Sequence, residues 1–306
     1  MKHSVLTVGK MSVKTSYNVP TLKTMGHSEA DAMKLEPYGS ALICSSLISR
    51  LGGEGIVCSK IGNDLYGTKL RQYCENENII TRFLFSSSDV STSAETVIND
   101  GVYKITYNGA NDSITPDEIE NAMIRYPDIA LIDMTIDRDT CISAFDFAKE
   151  YEVRSIASFS KLEHPDDFSF INGCDTIIVD AISAKTLTNI APQGPDMCVK
   201  ACLKLHYDFS PKYVVLRLGE RGSIYYDGKH CEFYPGVDSS ENISEIAEFA
   251  FVGALAYDYV KSDSISHACM AANIVSGLVA LNCENAYSLP TAKEVNDFVK
   301  ERELKI

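Results

Sequence analysis

The sequence predicts an α/β fold built on a mainly parallel central sheet with helices on both faces, and three patterns carry that prediction. The first is a β-α-β rhythm through the middle of the chain: Ile129-Ala130-Leu131-Ile132, a helical stretch from Thr140 to Tyr151, then Ser155-Ile156-Ala157-Ser158 and Thr176-Ile177-Ile178-Val179. Short strands that are apolar along their whole length are those buried on both sides. The second is the run from Ile56 to Gly67, a strand, a Gly62-Asn63-Asp64 turn and a helix start, whose glycines permit a tight turn and close helix packing. The third is the opening, Val5-Leu6-Thr7-Val8-Gly9, a buried-type strand ending at glycine. No repeat, low-complexity segment or linker-like run divides the 306 residues, so they read as a single domain, 1–306.

The other elements follow in order. Residues 17–37 hold short alternating stretches and Gly26, the signature of exposed strands and turns. Gly39 opens a helix from Ala41 to Leu51, which Gly52-Gly53 closes. Ser93 to Tyr107 alternates on both sides of Asp100-Gly101, the best hairpin signal in the chain. Thr115 caps a helix with Pro116 at its first position. Tyr213 to Tyr226 reads as strand, glycine turn and returning strand. Ser244 or Asn242 then caps an amphipathic helix, with Ala250, Phe251, Ala254 and Leu255 on its apolar face.

Composition narrows the function classes. At 45% hydrophobic residues the chain can bury a sizeable core, and its net charge of −14 would repel a nucleic-acid backbone, so nucleic acid is excluded as a partner. The N-terminal apolar run is too short for a secretory signal and no stretch reads as a membrane span, so the expected compartment is the cytoplasm and no membrane partner is expected. Most of the ten cysteines stand singly in apolar segments and read as reduced core thiols. Cys198, Cys202 and His206 share a helical face, which rarely supplies a full tetrahedral set, so no metal site is assigned.

Taken whole, the chain resembles the pfkB-type (ribokinase-like) carbohydrate kinases, a three-layer α/β/α fold with a small β lid. The resemblance rests on Gly52 to Gly67, on Asn108-Gly109-Ala110-Asn111 leading to Ile119, on Tyr213 to Tyr226, and on Ala250 to Leu255. It implies a lid formed by about 12–37 and 91–108, and a homodimer paired through that lid, whose hairpin has an apolar face needing cover. It also implies where ligands would sit. The nucleotide side would involve Gly219, Gly222, Asn273 and Asp180, although a tight turn, apolar packing and a helix cap explain them equally well. The sugar side would involve Ser12, Lys14, Gly39 and Ile43.

At those positions the chain departs from the family. Lys14 stands for an aspartate that accepts hydrogen bonds from sugar hydroxyls, and a lysine has no acceptor, so it reads as a solvated residue on an edge strand. Tyr38 replaces a glycine, Ile43 an asparagine, and Ser183 the glutamate that organises magnesium. The phosphate-cradling Gly-Ala-Gly-Asp becomes Ile246-Ala247-Glu248-Phe249, with Phe249 at the position of the catalytic base. Phosphoryl transfer needs a proton acceptor and bare backbone amides. Phe249 accepts no proton, and Glu245 and Glu248 at a helix N-terminus, each favoured there by about 0.3–1 kcal/mol, would repel ATP. The expectation is therefore a non-catalytic family member kept for binding, regulation or assembly, with a small-molecule ligand and no assigned cofactor. The alternative is a sugar or nucleoside kinase using Mg-ATP, with Asp238 or Glu248 as a displaced base.

Overall fold

The computed structural model describes residues 2–23, 25–125, 127–237 and 244–304. Strands β1 (Ser4–Val8), β4 (Glu54–Gly62), β5 (Ile80–Ser87), β8 (Ile129–Asp133), β9 (Arg154–Ser158), β10 (Thr176–Asp180) and β11 (Tyr213–Arg217) pair in parallel. Strands β12 (Gly222–Tyr226) and β13 (Cys231–Pro235) add an antiparallel edge, giving a nine-stranded sheet in the order β13-β12-β11-β10-β9-β8-β1-β4-β5.

Successive side chains of these strands fall into different cores, as pleating requires. Val5, Ile129, Leu131, Ile178 and Val215 join one apolar cluster with α1 (Ser40–Arg50), α2 (Leu65–Asn76), α7 (Glu245–Ser262) and α8 (Ile265–Asn282). Leu6, Ala130, Ile132, Ile177 and Val214 join the other with α3 (Pro116–Met123), α4 (Arg138–Glu150), α5 (Ala181–Thr188) and α6 (Pro195–Phe209). Helix α9 (Ala292–Glu301) packs Phe298 in a small satellite cluster. The expected three layers are therefore present.

The Thr115 cap read from sequence is present, and the structure adds caps at Asp64 and Asp137. Asp64 accepts the Gly67 N–H at the head of α2, and Thr115 and Glu118 form a reciprocal capping box on α3. Helix α4 starts at Arg138 rather than Thr140, because the Asp137 carboxylate accepts the N–H groups of Asp139 and Thr140.

A second sheet, β3-β2-β6-β7, is formed by β2 (Ser12–Asn18), β3 (Ala32–Tyr38), β6 (Ala94–Ile98) and β7 (Tyr103–Tyr107). Strand β2 lies inside it, antiparallel to β3 and parallel to β6. Lys14 is therefore not the solvated edge-strand residue the sequence suggested. The hairpin turns through Asn99, Asp100 and Gly101, all at positive φ, and the Asn99 amide clasps the Val19 backbone from both sides, at 2.7 and 2.9 Å.

Helix α8 corrects a second expectation. Its 18 residues have a mean hydropathy of 1.4, enough by length and composition for a membrane span. The cause is location: Ile265, Ala268, Cys269, Ala272, Val275 and Val279 are buried in the core that α8 shares with α7.

Helix α7 buries Ala250, Phe251, Val252, Ala254, Leu255 and Tyr259 in the core it shares with α1 and α8. Full burial of a Leu- or Phe-sized side chain contributes about 1.5–3 kcal/mol. Its approach to α1 is set by Gly253, where a Cβ would lie 3.0 Å from the Cys44 Cα. Gly253→Val should overpack this contact by roughly 1–3 kcal/mol. The thermal midpoint should fall by a few degrees; an unchanged midpoint would show that the two helices can separate without loss.

Candidate functional site

The N-terminus of α7 points toward the second sheet. Ser244 caps it: its hydroxyl accepts the Ala247 N–H at 3.3 Å and its carbonyl accepts the Glu248 N–H at 3.1 Å. Both amides are thus used within the helix. Glu245, the first helical residue, is the hub of a charge network. Its carboxylate accepts the Tyr38 hydroxyl and the Lys161 Nζ at 2.9 Å, and Lys104 Nζ lies 3.6 Å away. Lys104 also pairs with the buried Glu95 at 2.8 Å. Lys14 lies 3.8 Å from Glu95 and 4.6 Å from the Tyr38 ring centre, a cation held over an aromatic face.

This network sets the titration of its members. Burial alone would raise the Glu245 pKa, but the hydrogen bonds from Tyr38 and Lys161 and the ammonium groups of Lys104 and Lys161 outweigh it and hold the carboxyl down at about 2. Burial first, and then the charge of Glu245, push the Tyr38 phenol well above its ordinary value.

Phe249 stands one turn further along α7. Its ring meets that of Tyr38 edge-on with centroids 6.1 Å apart, and its carbonyl accepts the Cys44 thiol at 3.2 Å. Of the other sugar-side candidates, Ser12 is buried opposite Tyr38 in the β2–β3 register. Gly39 has φ of 116°, and a Cβ there would lie 2.3 Å from the Lys10 carbonyl oxygen, so no other residue fits. Ile43 has no exposed surface and belongs to the apolar core, so it offers a ligand nothing.

The nucleotide-side candidates do come together. Asp180, Gly219, Gly222 and Asn273 line one cavity of about 250 Å³, with Lys161, Arg217 and Glu248. Three of the four have structural work. Asp180 caps α5, its two oxygens accepting the N–H groups of Ser183 at 2.7 Å and Lys161 at 2.6 Å. The Asn273 amide donates to Ser223 Oγ at 3.1 Å and the Tyr234 carbonyl at 3.2 Å, tying α8 to the antiparallel edge. A Cβ on Gly222 would fall 2.1 Å from the Tyr234 oxygen. Only Gly219, at φ of 64° with nothing within 4 Å of a Cβ, has open space beside it.

Of the two alternative bases, Glu248 lines this cavity and accepts the Ser160 hydroxyl at 3.3 Å, while Asp238 lies outside the described residues. The helical thiol set is dispersed: Cys198 donates to the Pro192 carbonyl at 3.5 Å, and the His206 ring sits edge-on to Tyr226. Among the described residues, no three His, Cys, Asp or Glu side chains are placed to hold a metal ion.

Two residues escaped the sequence reading. Arg217, the last residue of β11, is buried against the cavity, and its Nη1 donates to the Glu248 carbonyl at 3.2 Å. Asp133, the last residue of β8, accepts the Ser40 hydroxyl at the head of α1. Both are charged residues closing an apolar parallel strand, at the carboxyl ends where open α/β sheets place their sites, and that was the available signal.

A nine-stranded, mainly parallel sheet between two helical layers, with a four-stranded sheet beside it, defines a ribokinase-like α/β fold. Residues 2–292 match the model of the pfkB family carbohydrate kinases, and the chain belongs to that family. Mouse ribokinase is 22% identical over 258 residues, covering 81% of this chain and 79% of its own. The structure of Arabidopsis thaliana ribokinase complexed with ribose and ATP superimposes with a TM-score of 0.88 at 17% identity, covering 98% of this chain and 99% of that one. Ribokinase from Giardia lamblia gives 0.86 at 16% identity, over 99% of this chain and all of its own.

The Glu245 network makes a pH prediction. A carboxylate whose folded-state pKa lies below its ordinary 4.5 contributes stability above that value and loses it as pH falls toward about 2. Glu245→Gln should therefore lower the urea midpoint at pH 7, with the gap from the parent protein narrowing between about pH 5 and pH 3. A gap that stays constant over that range would remove the proposed charge linkage.

Proposed function

We propose that this member of the pfkB family binds its ligand without phosphorylating it, and serves in binding, regulation or assembly. The observation that carries the reading is the state of the α7 N-terminus. An aromatic side chain packed on Tyr38 stands at the family's base position, the amides of Ala247 and Glu248 are bonded inside the helix, and two carboxylates occupy the electropositive end. These residues do not fit Mg-ATP: the anion would meet Glu248, which lines the cavity, and no glycine loop is present to receive it. Loss of a general base alone costs about a hundredfold to ten-thousandfold.

A kinase with a displaced base is the competing reading, and Glu248 supports it to the extent that its carboxylate lines the cavity. ADP release from Mg-ATP over a panel of sugars and nucleosides separates the two. The expected result is no turnover approaching about 1 per second, the lower end of the ordinary enzyme range. Turnover at that rate would overturn the non-catalytic reading.

Assembly through the lid is part of the same proposal. Every residue of β7 is exposed, and Tyr103, Ile105 and Tyr107 keep 51, 64 and 50% of their surface, on an edge strand with free backbone groups. A second copy of the chain is the partner such a surface fits. Light scattering should give twice the chain mass of 33.7 kDa, and Ile105→Lys should return the monomer; a monomeric parent protein would end the idea.

A further inference from the structure

We infer that the small sheet is held closed on the body by two clasps made of the chain's own side chains, so that closure does not wait for a ligand. The inference goes beyond the non-catalytic reading and holds whether or not the site turns over. The first clasp gathers on α7. The Glu245 carboxylate accepts the Tyr38 hydroxyl from β3 and lies 3.6 Å from Lys104 of β7. Lys104 also pairs with Glu95 of β6 at 2.8 Å, and Lys14 of β2 stands 3.8 Å from Glu95 and over the Tyr38 ring. Every strand of the small sheet thus gives a side chain to this contact.

The second clasp is built on the segment between α8 and α9. The Asn285 amide donates to the Glu36 carboxylate at 2.8 Å, and its oxygen accepts the Tyr287 N–H at 3.0 Å. That segment is itself fixed to the body: Tyr73 of α2 donates to the Ala286 carbonyl at 2.9 Å, and Arg50 of α1 to the Tyr287 carbonyl at 3.0 Å. Glu36 and Tyr38 stand two residues apart on β3, on one face of the strand. One face of one strand is therefore tied to α7 and to the α8–α9 segment at once. Ser12, Tyr38 and Glu95 keep only 6, 7 and 6% of their surface in this arrangement. A carboxylate so far out of water is costly unless it stays paired, and Glu95 keeps its pairing only with Lys104 and Lys14 in place. A molecule entering between small sheet and body has first to break a clasp, which makes the contact autoinhibitory.

Carboxyl footprinting of the full chain in ligand-free buffer, with a carbodiimide, an amine and a mass-spectrometric readout, tests the clasps. Glu95 reports closure, and Glu29, with 88% of its side chain exposed, is the internal reference. In the parent protein Glu95 should label much more slowly than Glu29. Tyr38→Phe, which keeps the ring against Phe249, removes one hydrogen bond of the first clasp, and Glu36→Ala removes the second. Loss of one hydrogen bond to a charged group raises an open population by about tenfold, so each variant should speed Glu95 labelling by about that factor, and the double variant by more than either. Should Tyr38→Phe not fold, the half-buried Glu36 position decides. Tyr103, Ile105 and Tyr107 stand on the opposite face of β7 from Lys104, so pairing of two copies on that face does not cover Glu95. Labelling of Glu95 in the parent protein at the rate of Glu29, or labelling unchanged in the folded variants, overturns the proposal. Either result leaves the non-catalytic reading to the ADP-release assay.

Discussion

A charge withdrawn from water has to be answered by another charge or by hydrogen bonds, and in this chain that requirement joins the small sheet to the large one. Glu245 belongs to the body, on α7, and Tyr38 and Lys104 to the small sheet. Glu95, buried inside the small sheet, shares Lys104 with Glu245 and draws in Lys14. Removing a partner from such a cluster leaves a buried charge uncompensated, which costs more than the pair itself contributes. Side-chain charges on both elements thus tie the N-terminus of α7 to the small sheet.

Helix α7 divides into two halves that answer to different physical rules. The requirements of the two halves are physically separate. From Ala250 onward, shape governs: small residues and Gly253 let α7 lie against Cys44 of α1, and a larger side chain would meet backbone. The first turn obeys a different rule, set by what its amides and its dipole can receive. There the Ser244 hydroxyl receives the Ala247 N–H, and Glu245 and Glu248 place two carboxylates in the turn.

Most of the scaffold was legible because it rests on local rules. Uninterrupted apolar strands, the Thr115 capping box and the positive-φ turn at Asp100-Gly101 each follow from the geometry of a few neighbouring residues. Phe249 and the acids at the helix tip were legible too, since a residue type that cannot accept a proton is visible as a letter. What sequence did not reveal was pairing over long distances. Lys14 was read as solvated because nothing near it in the chain names Glu95 or Tyr38, and Arg217 was passed over as one more residue of a strand. Asp180 and Asn273 were singled out for a ligand, and they do line the cavity, yet their hydrogen bonds go to α5 and to the β12–β13 edge. At α8 the expectation that no stretch is apolar enough for a span failed by composition, because a helix buried in the core has the same composition as a bilayer span.

The small sheet has one more property that follows from its connectivity. Its first two strands belong to the excursion between β1 and α1, and its last two to the excursion between β5 and α3. The parallel ladder joining Val13 to Ala94 therefore cannot zip until a complete β-α-β unit has been laid down between them. Loop-closure entropy makes such a ladder a late event in folding and an early one to come apart. Amide hydrogens of this ladder are therefore expected to exchange faster than those of the central strands β1 and β8.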